Sequence, residues 1–222
     1  MQTLYTDLKD VPEPRRKPVI AVYSFQDLTG QRRSNSKYAT FSTAVTQAPH
    51  AYLIRALKHS NFFDVVERVS LDAVTKERQL IRSTRETFDE DNKLMPLKFG
   101  DMVMTGGVLS YDKVESSGFG ARYLGLGASR KVRKDQITIS LRTVSVSTGR
   151  VLTEVLVTKS VFSASLDNDV FRFISEGTEL VEIEGGSVSN EAMSIALQIA
   201  IETAVLETIK EGVINNYWRY KE

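Results

Sequence analysis

Two stretches decide how this chain is to be read: S-G-F-G-A-R-Y-L-G-L-G-A at residues 117–128, and V-F-R-F-I-S-E-G-T-E-L-V-E-I-E-G at residues 170–185. In the first, Phe119, Ala121 and Tyr123 occupy odd positions while Leu124, Leu126 and Ala128 occupy even ones, so a period-two apolar face changes parity in mid-segment. A hairpin tip near that point accounts for the change. In the second, Phe171 and Phe173 flank Arg172, Glu176-Gly177-Thr178 interrupts, and Val181 and Ile183 then alternate with Glu182 and Glu184. Two short strands meeting at a turn give this pattern. Each hairpin is apolar on one face and largely polar on the other, and a membrane-crossing β-strand needs only about 9–11 residues. The pair therefore has the makings of four strands of a pore wall. Hairpins of a soluble sheet, packed on a core through one face, alternate in the same way.

Around the hairpins the chain reads as α/β. Residues 1–18 hold three of the five prolines and many charges, the composition of an extended arm. Residues 19–25 are largely apolar, as in a strand covered on both faces, and residues 26–39 read as a loop. A helical pattern runs over residues 46–60, with Pro49 in its first turn and Leu53, Ala56 and Leu57 on one face. Residues 62–68 read as a strand, and Ser70 is placed to cap a helix from Leu71 to about Arg85. Residues 86–98 are mostly polar and read as loop. A strand over residues 101–114 enters the first hairpin. Residues 136–146 alternate, Ser147-Thr148-Gly149 turns, and residues 150–161 return. After the second hairpin, Ser189 or Asn190 caps a long helix to about Gly212 with Ala196, Ile199, Ala200 and Leu206 in its apolar face.

Composition removes several functions. The 29 basic and 28 acidic residues nearly balance, and neither basic run, residues 15–17 or 130–134, is interleaved with aromatics, which speaks against a nucleic-acid surface. No run of about 18 apolar residues is present, so no spanning helix is expected. Absence of cysteine excludes disulfides, thiolate metal sites and cysteine nucleophiles. The chain starts Met-Gln-Thr-Leu without a basic segment followed by an apolar one, so either the protein is not exported or the sequence lacks a leader. Glycines in residues 118–120 and 125–127 have the wrong spacing for a phosphate loop and no following Lys-Ser/Thr. They suit close strand packing or a turn. His50 and His59, nine apart on one expected helix, point to nearly opposite sides and do not suggest a metal site. Glu182 and Glu184 share a strand face and read as a solvated pair more readily than as an acid/base pair. No nucleophile and base come together, so no enzyme, cofactor or metal is expected.

Six runs carry a family resemblance: V-Y-S-F-Q-D-L-T-G-Q (22–31), F-S-T-A-V (41–45), G-A-R-Y-L-G-L-G-A (120–128), V-S-T-G (146–149), V-F-R-F-I (170–174) and S-N-E-A-M (189–193). In these runs, scattered in order over nearly the whole chain, the sequence resembles the curli secretion channel family of outer-membrane lipoproteins. The resemblance implies a compact periplasmic α/β domain with two inserted β-hairpins that join those of neighbouring copies in an oligomeric transmembrane β-barrel. On that basis residues 1–113 form the α/β domain with its N-terminal arm, residues 114–136 the first transmembrane hairpin, residues 137–165 periplasmic strands, residues 166–190 the second transmembrane hairpin, and residues 191–222 the C-terminal helix of the periplasmic domain. It implies a homo-oligomeric ring in the bacterial outer membrane that passes unfolded curli subunits by diffusion. Its partners would be those subunits, periplasmic and surface accessory curli factors and membrane lipid, with no nucleic acid.

Two departures stand out: family members begin with a lipidated cysteine, which this chain lacks, and the basic residues 130–134 place charges on both faces of a strand, where an interface suits them best. In the second hairpin, alternation puts Phe171, Phe173, Val181 and Ile183 toward lipid and Arg172, Glu182 and Glu184 toward the lumen. The resemblance further implies a pore constriction from a loop just before F-S-T-A-V, where the family carries a Tyr, an Asn and a Phe. Phe41 aligns with the Phe. Thr40 stands in place of the Asn, and Tyr38 lies nearer to Phe41 than the family's Tyr does, whose ungapped position falls on Ser36. Read from residues alone, Phe41 is rather a staple anchoring the loop before the first helix. The competing function is a soluble α/β binding module of the cell envelope, and a need for detergent to stay dispersed as a ring separates the two.

Overall fold

A computed structural model of the chain describes residues 6–29, 48–88, 93–117, 131–165, 170–175, 181–185 and 191–221. In chain order the elements are α1 (Thr6–Lys9), β1 (Val19–Asp27), α2 (Pro49–His59), β2 (Asp64–Val66), α3 (Leu71–Thr87), β3 (Met102–Ser117), β4 (Lys131–Ser145), β5 (Val151–Ser165), β6 (Val170–Ser175), β7 (Val181–Gly185) and α4 (Glu191–Ile214). The strands form one mixed sheet in the order β2-β1-β3-β4-β5-β6-β7. β1 runs parallel to β2 and β3, which requires long crossovers, and the intervening chain supplies α2 and α3 for them. From β3 onward every pairing is antiparallel.

One face of the sheet is covered by α2, packed on β1, and α4, packed on β4 and β5. Leu53, Ala56 and Leu57 of α2 are buried, as their spacing predicts, and Pro49 takes the first helical turn. On α4 the buried apolar set is Ala196, Leu197, Ala200, Ile201, Ala204, Val205 and Ile209, a stripe rich in small residues that lets the helix settle close on the strands. Ile199 and Leu206 flank this stripe rather than belonging to it. From the strands come Ile20, Val22, Phe25, Met104, Val108, Ile137, Ile139 and Leu141. The run in β1 is buried on both faces only from Val19 to Val22, where Gly100 lies against Ala21; Tyr23, beyond that cover, opens to solvent. Gly106 is set by close approach, since a Cβ there would stand 2.2 Å from the Ser140 carbonyl oxygen on β4.

The N-terminal arm is more ordered than its prolines suggest. It contains the short α1, whose Leu8 is buried, and Pro14 bridges to Tyr220 in an isolated antiparallel pair. The Arg15 N–H donates to the Arg219 carbonyl at 2.9 Å and the Lys221 N–H to the Glu13 carbonyl at 2.7 Å. Trp218 folds onto the end of α4, donating from Nε1 to the Ile209 carbonyl at 2.9 Å. Its ring meets Phe62 and Phe63 edge to face.

α3 departs from expectation in two respects. Ser70 stands at its N-cap but makes no side-chain cap hydrogen bond; its own N–H donates instead to Glu67 Oε1 at 2.7 Å. None of its residues is buried. The segment after it runs back alongside, with Arg78 donating to the Met95 carbonyl and Arg68 to the Lys98 carbonyl, each at 2.7 Å.

Candidate functional site

The strands of the first hairpin are continuations of the body's own β3 and β4 rather than a separate insertion. β1 accompanies β3 only as far as Val108, yet the β3–β4 ladder runs on without a break in pairing from Ser110 with Thr138 to Ser117 with Lys131. Leu109 is skipped in that ladder, a one-residue bulge just where β1 ends. At about 3.3 Å per residue, the sixteen residues of β3 span roughly 50 Å. Residues 109–117 reach past the last pairing with β1, close to the length of a membrane-crossing strand. β5 likewise continues to Ser165, pairing with β4 up to Ala164 opposite Val132. Within the basic run, Lys131, Arg133 and Lys134 pair with Ser117, Glu115 and Val114, and the intervening Val132 with Ser116. The parity change at Tyr123 and Leu124 lies outside the described residues, as do the glycines of residues 118–127.

The second hairpin is present as β6 and β7, joined across residues 176–180. β6 also pairs with the distal end of β5, from Val161 with Ser175 to Ser165 with Phe171. Between β6 and β7 the partners are Phe171 with Glu184, Arg172 with Ile183, Phe173 with Glu182, and Ile174 with Val181. Directly paired positions of an antiparallel ladder share a face. The register therefore groups positions 171 and 173 with 182 and 184, and position 172 with 181 and 183. Alternation in the sequence instead groups Phe171, Phe173, Val181 and Ile183. A slide of one residue between β6 and β7 converts one grouping into the other. Tyr38, Thr40 and Phe41, the constriction candidates, lie outside the described residues.

Elsewhere the body offers a cleft of about 490 Å³ between α2 and residues 67–70, lined among others by His50, Arg55, Lys58, His59 and Glu67. The two histidines thus line the same cleft although they are nine residues apart, because it extends along the helix rather than across one side of it. No group of three or more His, Cys, Asp or Glu suited to a metal is found among the described residues. Likewise among them, no helix is long and apolar enough to cross a membrane, which leaves a β-barrel untouched.

Sequence reasoning did not single out Glu202, a carboxylate on α4 that is buried in the body. Gln198 Nε2 donates to its Oε1 at 2.9 Å, while Oε2 has no hydrogen-bond partner among the described residues. Burial pushes its pKa up to about 6, against the opposing pull of the Gln198 hydrogen bond and the Arg55 charge. Because the folded state holds this proton more tightly than the unfolded chain, the contribution to stability is fullest below about pH 4.5 and is lost as pH rises through 6. Glu202→Gln is accordingly expected to raise stability at pH 7–8 by about 1–2 kcal/mol and to flatten the fall in stability between pH 4.5 and pH 7. Urea unfolding of both chains at pH 4.5 and pH 7.5 reads both; a Glu202→Gln chain no more stable relative to wild type at pH 7.5 than at pH 4.5 would show that the carboxylate is not destabilising.

Together the body and its overlong strands define a class: an α/β chain whose central strands project beyond its own core as hairpins. Comparison with known proteins makes this specific, and the chain belongs to the family of the curli production assembly/transport component CsgG, whose model matches residues 1–222. It is 39% identical over 219 residues to the curli production assembly/transport component CsgG of Salmonella typhimurium, covering 96% of this chain and 78% of that protein. The same figures hold for the protein of that name from Escherichia coli. Among solved structures, a hypothetical protein from Chlamydia trachomatis aligns with 89% of this chain and 97% of its own at 11% identity and a TM-score of 0.45.

Proposed function

We propose that this chain is a subunit of an outer-membrane secretion channel: a homo-oligomeric ring whose hairpins form one β-barrel through which unfolded curli subunits diffuse. The observation that carries the proposal is the continuation of β3, β4 and β5 beyond the sheet's helix-covered body. Support also comes from membership of a family named for curli production and transport. Residues 1–113, 137–159 and 191–222 then make the periplasmic body, with residues 114–136 and 160–190 in the bilayer, the boundary in β5 moved from residue 165 because residues 160–164 pair with 136–132. The channel works by steric and electrostatic lining rather than by catalysis, needs no cofactor, and meets accessory curli factors at its periplasmic and outer mouths.

Ring symmetry constrains the strands. Copies related by rotation close a wall of alternating strands only if each brings an even number. Among the described residues β3 to β7 lie side by side, which is five. In the assembled barrel the β5–β6 ladder of the single chain, Val161 with Ser175 to Ser165 with Phe171, therefore gives way so that the two run on as one strand, and each copy contributes two hairpins. Within that wall Phe171, Phe173, Val181 and Ile183 meet lipid, and Arg172, Glu182 and Glu184 meet the lumen, where the acidic ring favours cations.

At the narrowest point stand Tyr38, Thr40 and Phe41. A collar of aromatic rings is smooth and weakly binding, so an unfolded chain slides through, while hydroxyls keep it wet. Phe41→Ala is expected to raise single-channel conductance and leave the ring intact. A loss of about 3–5 kcal/mol with failed assembly would instead mark Phe41 as a core anchor. Images of the detergent-extracted particle test the ring itself: a particle with no central channel rules the proposal out.

A further inference from the structure

The two lateral ends of the body's sheet differ in a way that a ring can use. At one end, β5 pairs with β4 throughout, but on its other side it meets β6 only from Val161 onward. Residues 151–160 are thus an open edge among the described residues. The usual protections of such an edge are shortness, proline or a row of lysines. Here ten residues carry no proline and one lysine, Lys159, and Leu156 is 65% exposed. At the other end stands β2, only three residues long. Beside it lie α3 and residues 93–99, anchored there by the Lys98–Asp64 ion pair. This end exposes apolar side chains heavily: Leu80 59%, Phe88 73%, Met95 81% and Phe99 82%. A lone soluble chain rarely presents so many large apolar groups together.

We infer that these two surfaces are the halves of one contact between copies, in which α3 and residues 93–99 of one chain cover the open β5 edge of the next. The inference rests on the ring reading and specifies its lateral contact. Strand order places the two surfaces at opposite ends of the sheet, so a chain cannot join its own. A contact between unlike surfaces repeats head to tail and closes into a ring when the rotation allows, whereas a contact between like surfaces stops at a dimer. The occupant's chemistry fits: an edge with apolar Val151 and Leu156 exposed meets a face carrying leucine, methionine and phenylalanine. Burying that face also explains why α3 persists without any buried residue in a single copy.

The chain contains no cysteine, so introduced pairs report cleanly. Oxidising the full chain carrying both Met95→Cys and Leu156→Cys in detergent is expected to give a ladder of cross-linked species beyond the dimer. Either substitution alone gives none. In parallel, Leu80→Glu with Phe99→Glu is expected to lower the assembled fraction by roughly tenfold while the circular dichroism of the single chain is unchanged. A disulfide dimer from Leu156→Cys alone overturns the inference in favour of edge-to-edge pairing of like strands. A ring that forms without the 95–156 cross-link, or survives Leu80→Glu with Phe99→Glu, overturns this contact and leaves the channel reading standing. A wild-type chain that stays single in detergent removes both.

Discussion

Trp218→Ala is expected to lower the stability of the body by about 3–5 kcal/mol. The indole is buried, its Nε1 donates to the Ile209 carbonyl, and its ring is met edge to face by Phe62, Phe63 and Tyr217. It lies directly on Gly212, where a Cβ would stand 1.9 Å from a ring carbon, so glycine is required for the close approach. Gly212→Ala therefore drives the ring from its seat and should cost about 1–3 kcal/mol or more by overpacking. Urea titration followed by circular dichroism measures both. A Trp218→Ala chain within 1 kcal/mol of wild type would mean that the aromatic cluster does not hold the C-terminal segment against α2, β2 and α4.

The second large effect concerns the barrel wall. If Phe173 faces hydrocarbon near mid-bilayer, Phe173→Arg should cost about 2–4 kcal/mol per copy, while Glu182→Arg in the wet lumen should be nearly neutral. In the register of the single chain, positions 173 and 182 are direct partners and share a face. Equal tolerance at the two positions thus follows if that pairing persists in the membrane, and it would overturn the lipid and lumen assignment. Yield of heat-resistant rings in lipid gives the comparison.

Much of the body was legible because its signals are local. The two-faced apolar run at Val19 to Val22, the i, i+3, i+4 set Leu53, Ala56 and Leu57, and the turn closed by Gly149 at φ +68° each follow from residues that are neighbours in sequence. What was hidden depends on partners far along the chain. Ser70 has the chemistry of a cap, but Glu67 offers an acceptor to its N–H and its own side chain makes no cap bond. α1 is concealed among prolines because what fixes it is Leu8 entering a core built from α2 and α4. Glu202 reads as one more charge on a helix until α4 is seen pressed against α2 and β5. Of the functional candidates, the second hairpin was legible as two strands, whereas its register was not: alternation specifies a face within a strand, and only the turn and the neighbouring chains specify which faces coincide.

The skipped residue Leu109 sets the phase of everything beyond it. Before it, even-numbered Met104 and Val108 of β3 point into the core; after it, odd-numbered Tyr111 does, opposite Ile137. Counting by twos along β3 is therefore out of step by one between its root and its tip. A single insertion or deletion between Leu109 and the tip would exchange inside for outside along the whole projecting half, whereas a change of two would keep the faces in step. The lengths of these strands are free to drift only in even increments, unless a second bulge appears to restore the count.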